Sequence, residues 1–269
     1  MKRAMTPLVG ILQKELKIAF TTPIAYVVYF FFTLLTSLQF YKLLLNYEKL
    51  LQRARHFEDE ELLALLNFND AILADVFGTA QPVFVFLIPI LTMRALAEEK
   101  RHKTMELLMT TPISPWHVVL GKYLAFLTVL LGLCVIVLVY PSVLALFGSN
   151  SLVGASVVDW PTTLLGVLGV FLSGAMFGAI GLAFSSITEN QIVAALVTFF
   201  ALFLLWGIAQ LGDDVPGWLG DVLVYLSPRP HILGFANGIL RLADVVYYLS
   251  FAGFFLFFTH RMVEGQRWR

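Results

Sequence analysis

Residues 98–122 read EEKRHKTMELLMTTPISPWHVVLGK and lie between two apolar runs of membrane length, Val76–Met93 and Tyr123–Val158. Charged groups crowd the first half, and Pro112 and Pro115 close the second. Met105–Met109 can continue a helix from the end of the preceding span. Glu99, Lys103 and Glu106 then share one side, with Met105, Leu108 and Met109 on another. Pro112 ends that helix, because the residue before a proline is pushed out of helical geometry. Ser114-Pro115 then reads as an N-cap followed by proline at the first helical position, which starts the next span. Two readings stay open for this segment: a charged loop that fixes topology, or a lever that moves two spans when a cytoplasmic partner moves.

The surrounding composition makes the two runs membrane spans. Of 269 residues, 59% are hydrophobic and 13% charged, and the mean hydropathy is +0.82. Soluble chains carry about 25% charged residues, and a water-soluble fold cannot hide this much apolar surface. Lysines and arginines balance the acids, so there is no basic footprint for nucleic acid. Cys134 is the only cysteine, which excludes an intramolecular disulfide and a two-thiolate metal site; it reads as a buried packing thiol. The N-terminus does not read as a cleavable signal, since Gln13, Lys14, Glu15 and Lys17 interrupt the apolar stretch such a signal needs.

Six runs lack acidic and basic residues: Ile18–Tyr41, Val76–Met93, Tyr123–Val158, Trp160–Thr188, Asn190–Gly212 and Val245–His260. Each approaches the roughly 20 apolar residues that cross a bilayer. The expected architecture is an all-α integral membrane protein with six transmembrane helices. An interfacial helix at 7–20 is followed by spans at 22–45, 80–97, 115–147, 161–187, 190–212 and 242–261. The linking segments are an outer loop at 46–79, a cytoplasmic coupling helix at 98–114, and an outer-leaflet re-entrant segment at 213–241. Thr6-Pro7 and Thr22-Pro23 mark the starts of the first two helices, while Pro89 and Pro141 are expected to kink or end theirs. With both termini cytoplasmic, 12 of the 18 lysines and arginines fall inside, as the positive-inside rule asks.

Several functions are disfavoured. No run carries a charge near its centre, where ion and proton pathways usually place one. No G-x-x-x-x-G-K-[ST] loop occurs, so the chain cannot hydrolyse ATP through a P-loop of its own. Glu98-Glu99 has the look of an intramembrane protease metal motif, but Lys103 stands where arginine belongs. The five histidines, His56, His102, His117, His231 and His260, fall in loops or at span ends. His56-x-x-x-Glu60 has helical metal-ligand spacing but stands alone, so neither a metal site nor a catalytic residue is assigned. The fourth span carries Gly174, Gly178 and Gly181, a small-residue face suited to close helix packing or to a dimer or gate surface.

The run PILTMRALAEEKRHKTMELLMTTPISPWHVVLGKYLA, Pro89 to Ala125, resembles the hallmark of ABC-2 type transporter permeases. The likeness rests on Glu99, Thr104, Glu106, Leu107 and Leu108, then Pro112-Ile113-Ser114 and Gly121-Lys122. His102-Lys103 departs from the pattern, where a small residue or glycine is commoner. Toward the C-terminus, Ser227-Pro228, His231, Phe235, Gly238-Ile239, Asp244-Val245, Tyr247 and Arg267-Trp268 resemble the gliding-motility-associated subgroup, whose name does not by itself assign gliding. Gln266 stands where many of its members have a second basic residue.

The resemblance implies an ABC-2, type V exporter-like fold in a bacterial inner membrane. It implies two permease subunits, alike or different, on two separate ABC ATPases that bind ATP and magnesium; this chain itself needs no cofactor and is no enzyme. Its coupling residues are then Glu99, Arg101, Thr104, Glu106, Leu107, Leu108 and Pro112. The aromatic first span (Tyr26, Tyr29, Phe30, Phe31, Phe32) and uncharged interior suit a lipid-linked, amphipathic or polysaccharide cargo, with membrane lipid as a neighbour. The alternative is an ATPase-driven force-transmission or assembly module acting on a periplasmic auxiliary protein through the loop at 46–79.

Overall fold

The computed structural model describes residues 2–56, 72–104, 113–147 and 158–266. Among the described residues every regular element is helical: α1 (Lys2–Thr21), α2 (Pro23–His56), α3 (Ala74–Thr92), α4 (Ala97–Arg101), α5 (Pro115–Phe147), α6 (Trp160–Ile187), α7 (Gln191–Asp214), α8 (Trp218–Leu226), α9 (Pro228–Ala236) and α10 (Leu242–Gly265). Six of them, α2, α3 continued through α4, α5, α6, α7 and α10, are long and apolar enough to cross a membrane. They run alternately up and down. One end of the bundle carries α1, and the opposite end carries α8 and α9.

The helix α6 is the hub. Of an apolar stretch of 18 residues in it, 78% is buried, against 28% for the like stretch of α2, 22% for α7 and 28% for α10. The cause is its run of small residues. A Cβ at Gly166 would meet the ring of Phe77, at Gly169 that of Phe235, at Gly174 Leu130 and Phe84, at Gly178 Phe126, and at Gly181 Thr92. Dispersion at such close range substitutes for the hydrophobic drive that helices lack in lipid. The outer helices instead keep apolar stripes facing outward, such as Tyr26, Phe30, Leu34, Leu38 and Tyr41 on α2, which suits contact with hydrocarbon.

Three boundaries differ from the sequence-based expectation. The helix α1 begins at Lys2 rather than 7, so Pro7 lies inside it; proline there forfeits one backbone bond near a helix start, where bonds are fewest. Thr22 does not cap α2. Its hydroxyl donates back to the carbonyl of Ile18 at 2.9 Å and closes α1. The helix α2 continues to His56 instead of ending at 45, because Glu48, Lys49, Leu50, Leu51 and Gln52 all favour helix and no glycine or proline intervenes. Likewise α3 begins at Ala74 rather than 80.

Tyrosines and threonines lock the apolar interior. Tyr29 donates to the carbonyl of Val129 at 2.9 Å, over Gly132, where a Cβ would strike its ring. Thr36 and Tyr140 share a hydrogen bond of 2.6 Å between α2 and α5. Phe32 stacks on Phe84, with 5.5 Å between ring centroids. Cys134 is buried in this core.

Candidate coupling site

The segment that opened the sequence analysis starts with a helix break. The helix α3 ends at Thr92, three residues after Pro89, and Met93–Leu96 form turns before α4 begins at Ala97. The helix of the second span therefore does not run straight on towards residue 105. Leu96 leaves helical geometry at φ −123°. A broken helix exposes backbone donors and acceptors that must be met inside a protein. One hydroxyl meets them here. Ser185 of α6 accepts from the amides of Leu96 and Ala97, both at 3.1 Å, and donates to the carbonyl of Met93 at 3.1 Å.

Charge holds the segment from the other side. Glu99 is 8% exposed. Its Oε1 lies 3.0 Å from Lys122 Nζ on α5 and 3.2 Å from Lys14 Nζ on α1. Lys122, 3% exposed at its side chain, also reaches Glu15 Oε1 at 2.7 Å. Two ammonium groups thus answer two carboxylates, and three helices meet at one point. A charge this deep is tolerated only when paired. Lys100 donates to the carbonyl of Ser186. Arg94 bonds Gln191 Oε1 at 3.3 Å and lies 3.9 Å from Glu98. The segment is therefore tied to α1, α5, α6 and the start of α7.

The chain leaves α4 through Lys103, at φ +54°. That is the left-handed region, favoured by glycine and costing other residues about 1–2 kcal/mol. A glycine, which the family resemblance leads one to expect at this corner, would adopt the conformation at less cost. Thr104 donates its hydroxyl to the carbonyl of Glu99 at 3.2 Å.

Of the residues expected to couple, the structure separates Glu99 from Arg101 and Thr104. The first is buried and binds the segment to the bundle, while the other two are exposed. Glu106, Leu107, Leu108 and Pro112 lie outside the described residues. Gly174, Gly178 and Gly181 are all buried against side chains of this same chain. Sequence reasoning missed Ser185, Lys14 and Glu15, and used Lys122 only as part of a motif. The available signal was Lys122 itself, a lone cation two turns inside a span, which demands a carboxylate partner.

A second polar cluster occupies the opposite end. His231 Nδ1 lies 2.6 Å from Asp244 Oδ1, and its Nε2 lies 2.9 Å from the carbonyl of Tyr225. The imidazole is thus held at both of its nitrogens, by a carboxylate on one side and a backbone carbonyl on the other. Tyr247 donates to the carbonyl of Leu226 at 2.6 Å, and Tyr248 to that of Pro228 at 2.9 Å. These bonds pin α8 and α9 to α10. Every group in the cluster serves the connection, and among the described residues no three metal-ligating side chains converge.

No curated protein matches the chain. The broken span, the buried charge cluster and the hub helix all lie within residues 9–259, and that stretch matches the family described as ABC-2 family transporter protein. The family is one of transmembrane permease subunits, and the match is to the family at large rather than to its gliding-motility subgroup. With nearly its whole length covered, this integral membrane chain belongs to the ABC-2 transporter family.

Proposed function

We propose that this chain is the membrane subunit of an ATP-driven exporter in a bacterial inner membrane, with its α1 end in the cytoplasm. Residues 98–114 receive the stroke of a separate ATPase. The observation that carries this reading is the anchoring of Glu99. It is bound through Lys14 and Lys122 to α1 and α5, while Ser185 grips the break just before it. A push on the segment therefore reaches four helices instead of dissipating in a loose loop. Energy must enter from a partner, since the sequence holds no P-loop and no mid-span charge. Two such subunits, identical or not, act with two ATPases, and ATP and magnesium stay with those. The likeness of the C-terminal residues to the gliding-motility subgroup assigns no gliding role.

The test is Glu106→Arg. The variant is expected to insert normally and to lose a co-purifying P-loop ATPase. A complex that co-purifies and hydrolyses ATP at the wild-type level refutes the lever.

One observation favours a second reading, force transmission to a partner across the membrane. The helix α2 has 34 residues, a rise of about 51 Å against a hydrocarbon core of about 30 Å. Its far end stands clear of the bilayer and offers a surface to an auxiliary protein. ATPase activity stimulated by such a protein but by no cargo favours this reading over export.

A further inference from the structure

Beneath α1, and bounded also by α2, α3, α4, α5 and α6, lies a half-open cavity of about 290 Å³. That is close to the lower limit of small-molecule sites, roughly 300 Å³. One part of its wall is apolar, formed by Leu91, Ala125, Phe126, Val129 and Leu182. The other part is ionic. Glu15, Glu98 and Glu99 face Lys14, Arg94 and Lys122, with His102 beside them. The lining is thus amphipathic and carries no net charge.

The ionic groups are unequally engaged. Lys14, Lys122, Glu15 and Glu99 close on one another, with contacts as short as 2.7 Å. Arg94 and Glu98 barely touch at 3.9 Å, and their side chains are 39% and 37% exposed. The second oxygen of Glu99, Oε2, is buried with no hydrogen-bond partner, and an unmet buried acceptor is costly. Three capacities are left over: the two terminal nitrogens of the Arg94 guanidinium, whose Nε is given to Gln191, the Glu98 carboxylate, and the second oxygen of Glu99. An anion satisfies only the first and a simple cation only the other two. A zwitterion satisfies all three.

We propose that this cavity binds the headgroup of a bilayer phospholipid that carries a phosphate and a primary ammonium, a phosphoethanolamine type. The phosphate sits on Arg94. The ammonium sits between Glu98 and Glu99 and supplies up to three N–H donors, whereas a trimethylammonium supplies none. The start of an acyl chain lies along Phe126, Val129 and Leu182. The volume holds a headgroup and a short stretch of chain, so the remainder of the lipid stays in the surrounding bilayer. The proposal goes beyond the exporter reading and does not depend on any ATPase.

The experiment is native mass spectrometry of the purified full-length chain. It is offered equal amounts of phosphatidylethanolamine, phosphatidylcholine and phosphatidylglycerol with the same chains. The ethanolamine lipid is expected to be retained at least about tenfold over either competitor. Glu98→Gln and Arg94→Gln each reduce that retention by a similar factor. Ala125→Trp, which fills the apolar part of the wall and replaces no charged residue, abolishes it. The two charge variants alter partly exposed side chains, so they decide the question even where Ala125→Trp does not fold. Equal retention of the three lipids, no retention at all, or retention unchanged in Glu98→Gln overturns the proposal.

Discussion

Replacing Lys122 by methionine keeps the length and most of the volume of the side chain and removes one charge. In the native protein Nζ sits 2.7 Å from Glu15 and 3.0 Å from Glu99. Without it both carboxylates turn to Lys14, which is 55% exposed at its side chain and lies 4.0 Å from Glu15. Removing one partner of a buried ion pair costs about 3–5 kcal/mol. The half-open cavity beside the cluster admits water, which places this site near 3 kcal/mol. For a chain of this size that corresponds to a fall in melting temperature of roughly 6 °C. Cys134 supplies the assay, because it is the only cysteine and is 4% exposed. A maleimide dye reacts with it only as the bundle opens, so heating in mild detergent gives the transition directly. A companion variant, Lys122→Met with Glu15→Gln and Glu99→Gln, removes the stranded charges as well. It is expected to recover most of the loss, since replacing a whole buried ionic group is often neutral. A single variant that melts like wild type would falsify the account of the cluster. A triple variant as unstable as the single one shows that the loss is one of packing, not of unpaired charge.

Ser185→Ala strips the partners from two amides and a carbonyl at the break before α4. It is expected to cost about 1–3 kcal/mol and to speed hydrogen exchange at Leu96 and Ala97 while leaving α5 protected; unchanged exchange there refutes the latch. Gly178→Leu drives a side chain into Phe126 and is expected to abolish recovery of monodisperse protein, whereas Gly253→Leu, with nothing within 4 Å of the added carbon, is tolerated. Equal recovery of the two removes the steric role assigned to α6. Asp244→Asn leaves His231 without its carboxylate and is expected to increase proteolysis within 215–241, with little change in the reaction of Cys134. Wild-type proteolysis shows that the pair does not hold α8 and α9 in place.

The spans were legible because hydrocarbon imposes a simple rule on composition, and runs such as Trp160–Thr188 obey it. The glycines of α6 also announced close packing, although their spacing could not name Phe126 or Phe77 as the rings that fill it. The coupling cluster was hidden for a different reason. Glu15 and Glu99 are each ordinary in their own segments, and Lys122, which calls for a carboxylate, does not say which one; only the folding of α1 under the bundle brings the three together. The pattern of residues 93–96 carries no mark of a break, since Met93, Arg94, Ala95 and Leu96 all favour helix. The break depends on Ser185, a hydroxyl far away in sequence that offers the backbone other partners. The end of α2 is not legible from charge alone, because charged residues suit a solvated helix as well as a loop. In Tyr47–Arg53 the charge belongs to the same helix, which runs on to His56.

The length of α2 has a mechanical consequence. Its base at Pro23 follows directly on α1, whose Lys14 and Glu15 belong to the ionic cluster. A rigid rod of about 51 Å, turning at that base by about 10° together with the helix α5 to which Thr36 and Tyr140 tie it, carries its tip roughly 9 Å, while a point one turn from the pivot moves only about 1 Å. A displacement at the cluster no larger than the slack of an ion pair would thus become, at the far end of α2, a movement nearly as wide as a helix.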